Sequence, residues 1–290
     1  MIMNQEFEPL RPKLFGIAYR MLGSASDAED VLQDAYLRLM ATDSAQIQSF
    51  AAFARTVVTR LCLDRLKSAK ARRELYPGIW LPEPVPSLSQ ELGLDPEEVV
   101  EKFESVSLAF LLMLETLSAE ERAVFLLREV FDYSYEEIAL ILEKSQSACR
   151  QLLSRARKSV ATQRPRFRPT PEEYQRIFTA FVQASTQGDV EHLADLLTAD
   201  VTVLSDGGGK ATAAARPVHG REAVLKLLQG LARTGFKAGD RFEVVSLNGR
   251  ESLVVRNQTG VVTTAVLFEI GAGAIQKIYF MRNPDKLVGL

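Results

Sequence analysis

Two sets of side chains in this 290-residue sequence have types and spacing suited to recognition rather than to bond-making. Asp30, Gln33, Asp34 and Leu37 recur at i, i+3, i+4 and i+7, which on a helix is one face. Such a face is most often simply solvated; Leu37 among the acids suits a contact surface better than plain water, although single exposed leucines are normal. Gln146, Ser147, Arg150, Gln151, Ser154 and Arg155 form a second, short-polar and basic set. Arg and Gln can read base edges bidentately, while Arg155, Arg157 and Lys158 suit phosphates. A plain helical hairpin with a solvated basic face is the competing reading. A third group, Arg60, Arg65, Lys67 and Lys70, crowds the end of another apolar-periodic segment. There cations favour the helix dipole and also make a phosphate-binding footprint.

Catalytic and metal chemistry have little support. His192 and His219 are isolated, and neither Cys62 nor Cys149 sits in a metal-ligand spacing, so no metal and no cofactor are expected. Both cysteines fall on apolar stripes and read as buried thiols in a reducing cytoplasm. The net charge of −2 excludes wholesale polyanion binding, leaving local basic faces to do that work. The start "MIMNQEFEPLRPK" lacks an apolar core segment and no apolar run reaches membrane-spanning length, so a cytoplasmic chain with no membrane partner is expected.

The elements that position these groups are mostly helical at first. Leu10, Leu14, Ile17, Ala18 and Met21 predict an amphipathic helix ended by Gly23. Ser26 with Glu29 predicts a capping box opening a helix that buries Ala28, Val31, Leu32, Ala35, Leu39 and Met40. Phe50, Phe53, Val57 and Leu61 mark the core stripe of the basic helix. Asp95, Pro96 and Glu98 predict another helix start, carrying Val99, Phe103, Val106, Phe110, Leu114 and Leu117. Ser118 with Glu121 and Ser134 with Glu137 repeat the capping signal. The run "SYEEIALILEKSQSACRQLLSRARKSV" then reads as helix, tight turn, helix, with Glu143 where such turns often carry glycine. After Pro165, Pro169 and Pro171 the pattern becomes two helices, a strand, a helix and four β-rich runs, an α+β arrangement. The only tryptophan, Trp80, sits in "RELYPGIWLPEPVPS", where four prolines forbid regular structure, so something should cover it.

Together these residues resemble bacterial extracytoplasmic-function sigma factors, with "DAEDVLQDAYLRL" similar to the segment that binds the polymerase clamp. The resemblance implies region 2 over 1–75, a proline-rich linker over 76–97, region 4 over 98–165, a hinge over 166–170 and a SnoaL-like, ketosteroid-isomerase-like cone over 171–290. It also implies a non-enzymatic factor that binds core RNA polymerase (the beta-prime clamp and beta flap) and promoter DNA. Asp30, Gln33, Asp34 and Leu37 would dock polymerase. The loop from Asp43 to Phe50, with Arg60, Arg65, Lys67 and Lys70, would engage the −10 element. Gln146, Ser147, Arg150, Gln151, Ser154 and Arg155 would read the −35 element. A subgroup with a SnoaL-like extension carries three motifs, intact here as "WLPEP" (Trp80, Pro82), "DGGGK" (Asp206, Gly207, Gly208, Gly209, Lys210) and "NPDKL" (Asn283, Pro284, Asp285, Lys286, Leu287). By resemblance the extension regulates in cis. Trp80 is expected to dock between the sigma modules and the cone, fixing how far apart regions 2 and 4 sit, with packing on its own helical neighbour as the alternative. Two alternatives stand beside this: a cone that binds a small apolar ligand or catalyses through Asp200, Asp206, His219 and Tyr279, and a repressor using only the helix-turn-helix.

Overall fold

A computed structural model describes residues 6–43, 47, 49–86, 107–161, 169–235 and 238–290, with backbone alone for 69–74 and 234. The chain divides into two compact units. One holds residues 1–75 with 88–164, the other 76–87 with 165–290. The linker expected over 76–97 is thus split, its first part belonging to the α+β unit. The two helical blocks expected as separate domains form one unit. The helix start at Asp95 and half of the Asp43–Phe50 loop (44–46 and 48) lie outside the described residues.

In the helical unit, α1 (Arg11–Leu22), α2 (Ala25–Ala41) and α3 (Phe50–Glu74) pack on one another. Gly23 ends α1 at φ 69°, in the left-handed region open to glycine. That turn leaves Ser24 extended, so Ser24 rather than Ser26 caps α2, accepting from the Asp27 N–H at 3.1 Å. Glu29 instead pairs with Arg11. The α2 stripe is buried as its period requires, at Ala28, Val31, Leu32, Ala35 and Leu39. On α3 the stripe is shifted: Ala54, Val58, Leu61, Cys62 and Leu66 are buried, whereas Phe50, Phe53 and Val57 are only half-buried.

The second block runs α4 (Leu108–Leu114), α5 (Ala119–Phe125), a π turn (Leu126–Val130), α6 (Tyr135–Leu142) and α7 (Gln146–Ala161). Both expected capping boxes form, at Ser118–Glu121 and Ser134–Glu137. Glu143 makes the α6–α7 turn at φ 54°, a left-handed conformation costing a non-glycine residue roughly 1–2 kcal/mol.

The α+β unit contains α8 (Pro171–Gln187), α9 (Val190–Leu196), β1 (Leu197–Asp206), β2 (Val218–His219), α10 (Arg221–Gly230), β3 (Arg241–Leu247), β4 (Arg250–Arg256), β5 (Val262–Gly271) and β6 (Ala274–Met281). One six-stranded sheet has the order β2-β1-β6-β5-β4-β3, antiparallel except for the β1–β6 pair. Register shifts interrupt β1–β6, β4–β5 and β5–β6, and such irregularities bend strands. Helices cover one face. Phe178 and Phe181 of α8 meet Phe268 of β5 edge-on at 5.6 and 5.0 Å between centroids, inside a core with Ile177, Val203, Val224, Ile275 and Ile278.

Candidate recognition surfaces and the motif cluster

The two recognition sets fold as two outward faces of the helical unit. On α2, Asp30, Gln33, Asp34 and Leu37 are all exposed, Leu37 by 59%. On α7, Cys149, Leu152, Leu153, Ala156 and Val160 are buried, which turns Ser147, Arg150, Gln151, Ser154 and Arg155 outward, with Gln146 half-buried. Ser145, unmarked in the sequence reading, caps α7 by accepting from the Ala148 N–H at 3.1 Å. Arg150 donates to Gln146 Oε1 and stacks 4.9 Å from the Tyr135 ring centroid, while Arg128 lies 5.3 Å from the same ring. Tyr135, Arg150, Leu153, Ser154, Arg157, Lys158 and Ala161 line a groove of about 320 Å³. Arg155 pairs with Glu121 at 3.3 Å and Arg157 with Glu129 at 2.7 Å. The face is basic, ordered from within, and backed by an apolar stripe.

The cations expected to meet the −10 element have partners within the helical unit. Arg60 donates to the carbonyls of Ile141 and Leu140 at 2.9 and 3.0 Å and pairs with Glu143 at 3.0 Å. It therefore satisfies carbonyls at the end of α6, where a cation is favoured, and neutralises the strained turn residue. Arg65 is drawn to the acidic side of α2. Lys67 is exposed beside Asp64, and the side chain of Lys70 lies outside the described residues. Further bonds join the two helical blocks. Buried Arg122 donates to the Met21 carbonyl at 2.7 Å and twice to that of Leu114, beside Glu115. Burial pulls its pKa down to about 9, so it stays charged at neutral pH. Arg20 lies 5.4 Å from the Phe131 ring and Arg55 4.9 Å from that of Tyr133.

In the α+β unit the three short motifs converge on one carboxylate. Asp206, at the end of β1, is completely buried. Its Oδ1 accepts from the Tyr76 hydroxyl at 2.6 Å and the Gly208 N–H at 3.0 Å, and its Oδ2 from the Leu81 N–H at 2.9 Å and the Lys286 ammonium at 2.8 Å. Its backbone carbonyl accepts from the N–H groups of Arg282 and Asn283. Lys286 also donates to the Leu81 carbonyl and lies 4.4 Å from the Trp80 ring centroid and 5.0 Å from that of Tyr76. Asn283 donates to the Tyr76 hydroxyl at 2.8 Å, and Lys210 pairs with Asp285. The glycines are steric requirements. A Cβ on Gly208 (φ 58°) would lie 2.4 Å from Asn283 Cγ, one on Gly207 2.2 Å from the Ala211 carbonyl oxygen, and one on Gly209 (φ 71°) 2.8 Å from Pro77. Trp80, half-buried, stacks against Lys286 of its own unit's last motif. Burial and the carboxylate beside it push the Tyr76 hydroxyl pKa up.

Tyr76 and Asn248 had been passed over in the sequence. Buried Asn248, at φ 50° in the β3–β4 turn, exchanges bonds with Val85 through its N–H (2.9 Å) and Oδ1 (3.1 Å), beside a Pro86–Leu247 bridge. Its Asn-Gly pair signalled a turn, and nothing local signalled the strap it holds. The four groups considered for catalysis have separate engagements. Asp206 is the hub, Tyr279 donates to Glu269 at 2.7 Å, His219 bonds Thr202 at 3.0 Å, and Asp200 is exposed. Among the described residues, no group of three or more His, Cys, Asp or Glu is placed to hold a metal, and no helix is long and apolar enough to cross a membrane.

Comparison with known proteins accounts for this arrangement. Residues 7–72 match the family described as Sigma-70 region 2, and residues 107–160 the family described as Sigma-70, region 4. The chain is 35% identical to the ECF RNA polymerase sigma factor SigJ of Mycobacterium tuberculosis, over 98% of this chain and 93% of that protein. It is 33% identical to the probable ECF RNA polymerase sigma factor SigI of the same species, over 79% of this chain and 87% of that one. The crystal structure of M. tuberculosis SigJ superposes with a TM-score of 0.77 at 32% identity, covering 98% of both chains. Two sigma regions in order, the α+β unit after them and a full-length relative of the same build lead to one conclusion: the chain belongs to the extracytoplasmic-function family of RNA polymerase sigma factors.

Proposed function

We propose that this sigma factor docks core RNA polymerase at the beta-prime clamp through Asp30, Gln33, Asp34 and Leu37, and reads the −35 element with α7 while region 4 sits at the beta flap. The observation that carries the reading is the pair of outward faces on one helical unit, acidic with a central leucine on α2, basic and short-polar on α7. Ser147, Arg150, Gln151 and Ser154 present donors and acceptors along a helix that can enter the major groove, each good bidentate pair contributing about 1–3 kcal/mol of base discrimination. Arg157 and Lys158 hold phosphates beside them. The near-neutral total charge suits a factor that binds DNA strongly only with polymerase, in the cytoplasm.

The two promoter elements, named for positions about 25 base pairs apart, are separated by roughly 85 Å of duplex at 3.4 Å per base pair. Regions 2 and 4 bond each other directly here through Arg60, Arg122, Arg20 and Arg55. Engaging both elements requires those contacts to open. Arg60 is suited to this: it is 43% exposed, and its carbonyl partners can pass to water. The motif cluster around Asp206 is the element of the α+β unit that regulates in cis, because it ties the strap after region 2 to the chain's last motif.

Reconstituted transcription with core polymerase tests the reading. The intact chain is expected to direct initiation at a promoter that core enzyme alone ignores, and Arg150→Ala with Gln151→Ala to lower it at least about tenfold for two lost base contacts. Tight operator binding by the free chain, with no polymerase-dependent initiation, would establish the repressor reading instead.

A further inference from the structure

Arg65 sits on α3, in the basic run whose sequence points to DNA, yet its guanidinium is engaged by α2. Nη1 lies 3.2 Å from Asp27 Oδ1 and 3.2 Å from Asp30 Oδ2, and Nη2 lies 3.3 Å from Asp34 Oδ2. The side chain is only 25% exposed. Partial burial opposes its charge, and the hydrogen bonds to Asp30 and Asp34 outweigh that, so its pKa rises above the ordinary arginine value. One cation among three carboxylates leaves the locality negative, which repels a phosphate. Asp30 and Asp34 stand one helical turn apart, where like charges repel each other. Arg65 removes that repulsion and orders both side chains through one oxygen of each. An ionised carboxylate has about four acceptor sites, so each keeps capacity for an incoming cation.

We propose that Arg65 is a positioning residue of the polymerase-docking face and not a promoter contact: it holds Asp30 and Asp34 as a preorganised carboxylate pair for a basic surface of core polymerase. The proposal rests on α2 being the docking face. Preorganisation acts by lowering the ordering cost of binding. Asp27, on the inner side of the same network, anchors the guanidinium so that it does not leave when the other two carboxylates are engaged.

The test uses the intact, dye-labelled chain, titrated with core polymerase, for Arg65→Gln, Arg65→Lys, Asp30→Asn with Asp34→Asn, and the triple variant, each checked for native circular dichroism. Arg65→Gln is expected to weaken core binding about fivefold, a coupling typical of contacting charged residues. Arg65→Lys should recover part of the loss, and Arg65→Gln should add nothing once both aspartates are amides. The salt dependence of preformed holoenzyme on promoter DNA should not change. If Arg65→Gln leaves core binding intact and instead lowers that salt slope by about one unit, Arg65 is a phosphate contact and the proposal is overturned. Equal losses with and without the aspartates would make its role generic to folding, which overturns it too. Should the aspartate pair be replaceable with no loss of core binding, the docking reading itself falls and takes this inference with it.

Discussion

Arg60 and Lys286 perform the same formal task in the two units, each carrying a cation to an acidic partner and to backbone carbonyls far away in sequence. They do it in opposite solvent regimes. Arg60 is 43% exposed and its partner Glu143 lies in an open turn, whereas Lys286 is 11% exposed and its partner Asp206 is completely buried. Water can replace the first set of bonds at little cost; nothing in the α+β interior replaces the second. In the proposed function the helical unit releases its contacts to reach two promoter elements, and the motif cluster keeps its own as a fixed reference. The burial of Arg60 and Lys286 matches that difference in task, whereas Arg122, 3% exposed between the helical blocks, is the contact whose release is costly.

The largest expected effect breaks the comparison at its buried end. Removing one partner of a buried ion pair costs about 3–5 kcal/mol, so Asp206→Ala should lower the stability of the α+β unit by that order, while Arg60→Gln should cost the helical unit about 1 kcal/mol. Denaturant unfolding can separate the two. Trp80 is the only tryptophan and stacks on Lys286, so its fluorescence reports the α+β unit, and far-ultraviolet circular dichroism is dominated by the helices. Losses of equal size in both variants would remove the distinction.

A smaller effect concerns alkali. Burial raises the pKa of Tyr174, and burial beside Glu269 raises that of Tyr279, both above the ordinary value of 10. A group whose folded pKa lies above its unfolded value contributes stability that is intact below the unfolded value and is lost above it. The α+β unit should thus weaken as pH rises past about 10, with these tyrosines ionising only as it unfolds. Tyrosinate absorbance that saturates while Trp80 fluorescence stays native would contradict this.

Much of the fold is legible in the sequence because helix ends and strand alternation are local properties. The capping boxes at Ser118 and Ser134, the outward faces of α2 and α7, and the four closing strands all follow from spacing. What spacing hides is partnership between elements. Nothing in the α3 sequence announces that α6 carbonyls lie beside Arg60 and α2 carboxylates beside Arg65. The α3 stripe reads from its phenylalanines, yet the buried face carries Ala54, Val58, Leu61, Cys62 and Leu66. Trp80 stands out in the sequence as a lone tryptophan among prolines, but its partner does not: the 4.4 Å stacking and 2.8 Å ion pair of Lys286 join residues that are 80 or more positions apart.

The central claim is that α2 and α7 face different partners in the initiating complex. Photo-crosslinkers at Gln33 and at Gln151, in the intact chain assembled with core polymerase on promoter DNA, test it most directly. The account predicts that Gln33 captures a polymerase subunit and Gln151 captures DNA at the −35 element. Capture of DNA from Gln33, or of only this chain's own residues from Gln151, would contradict it.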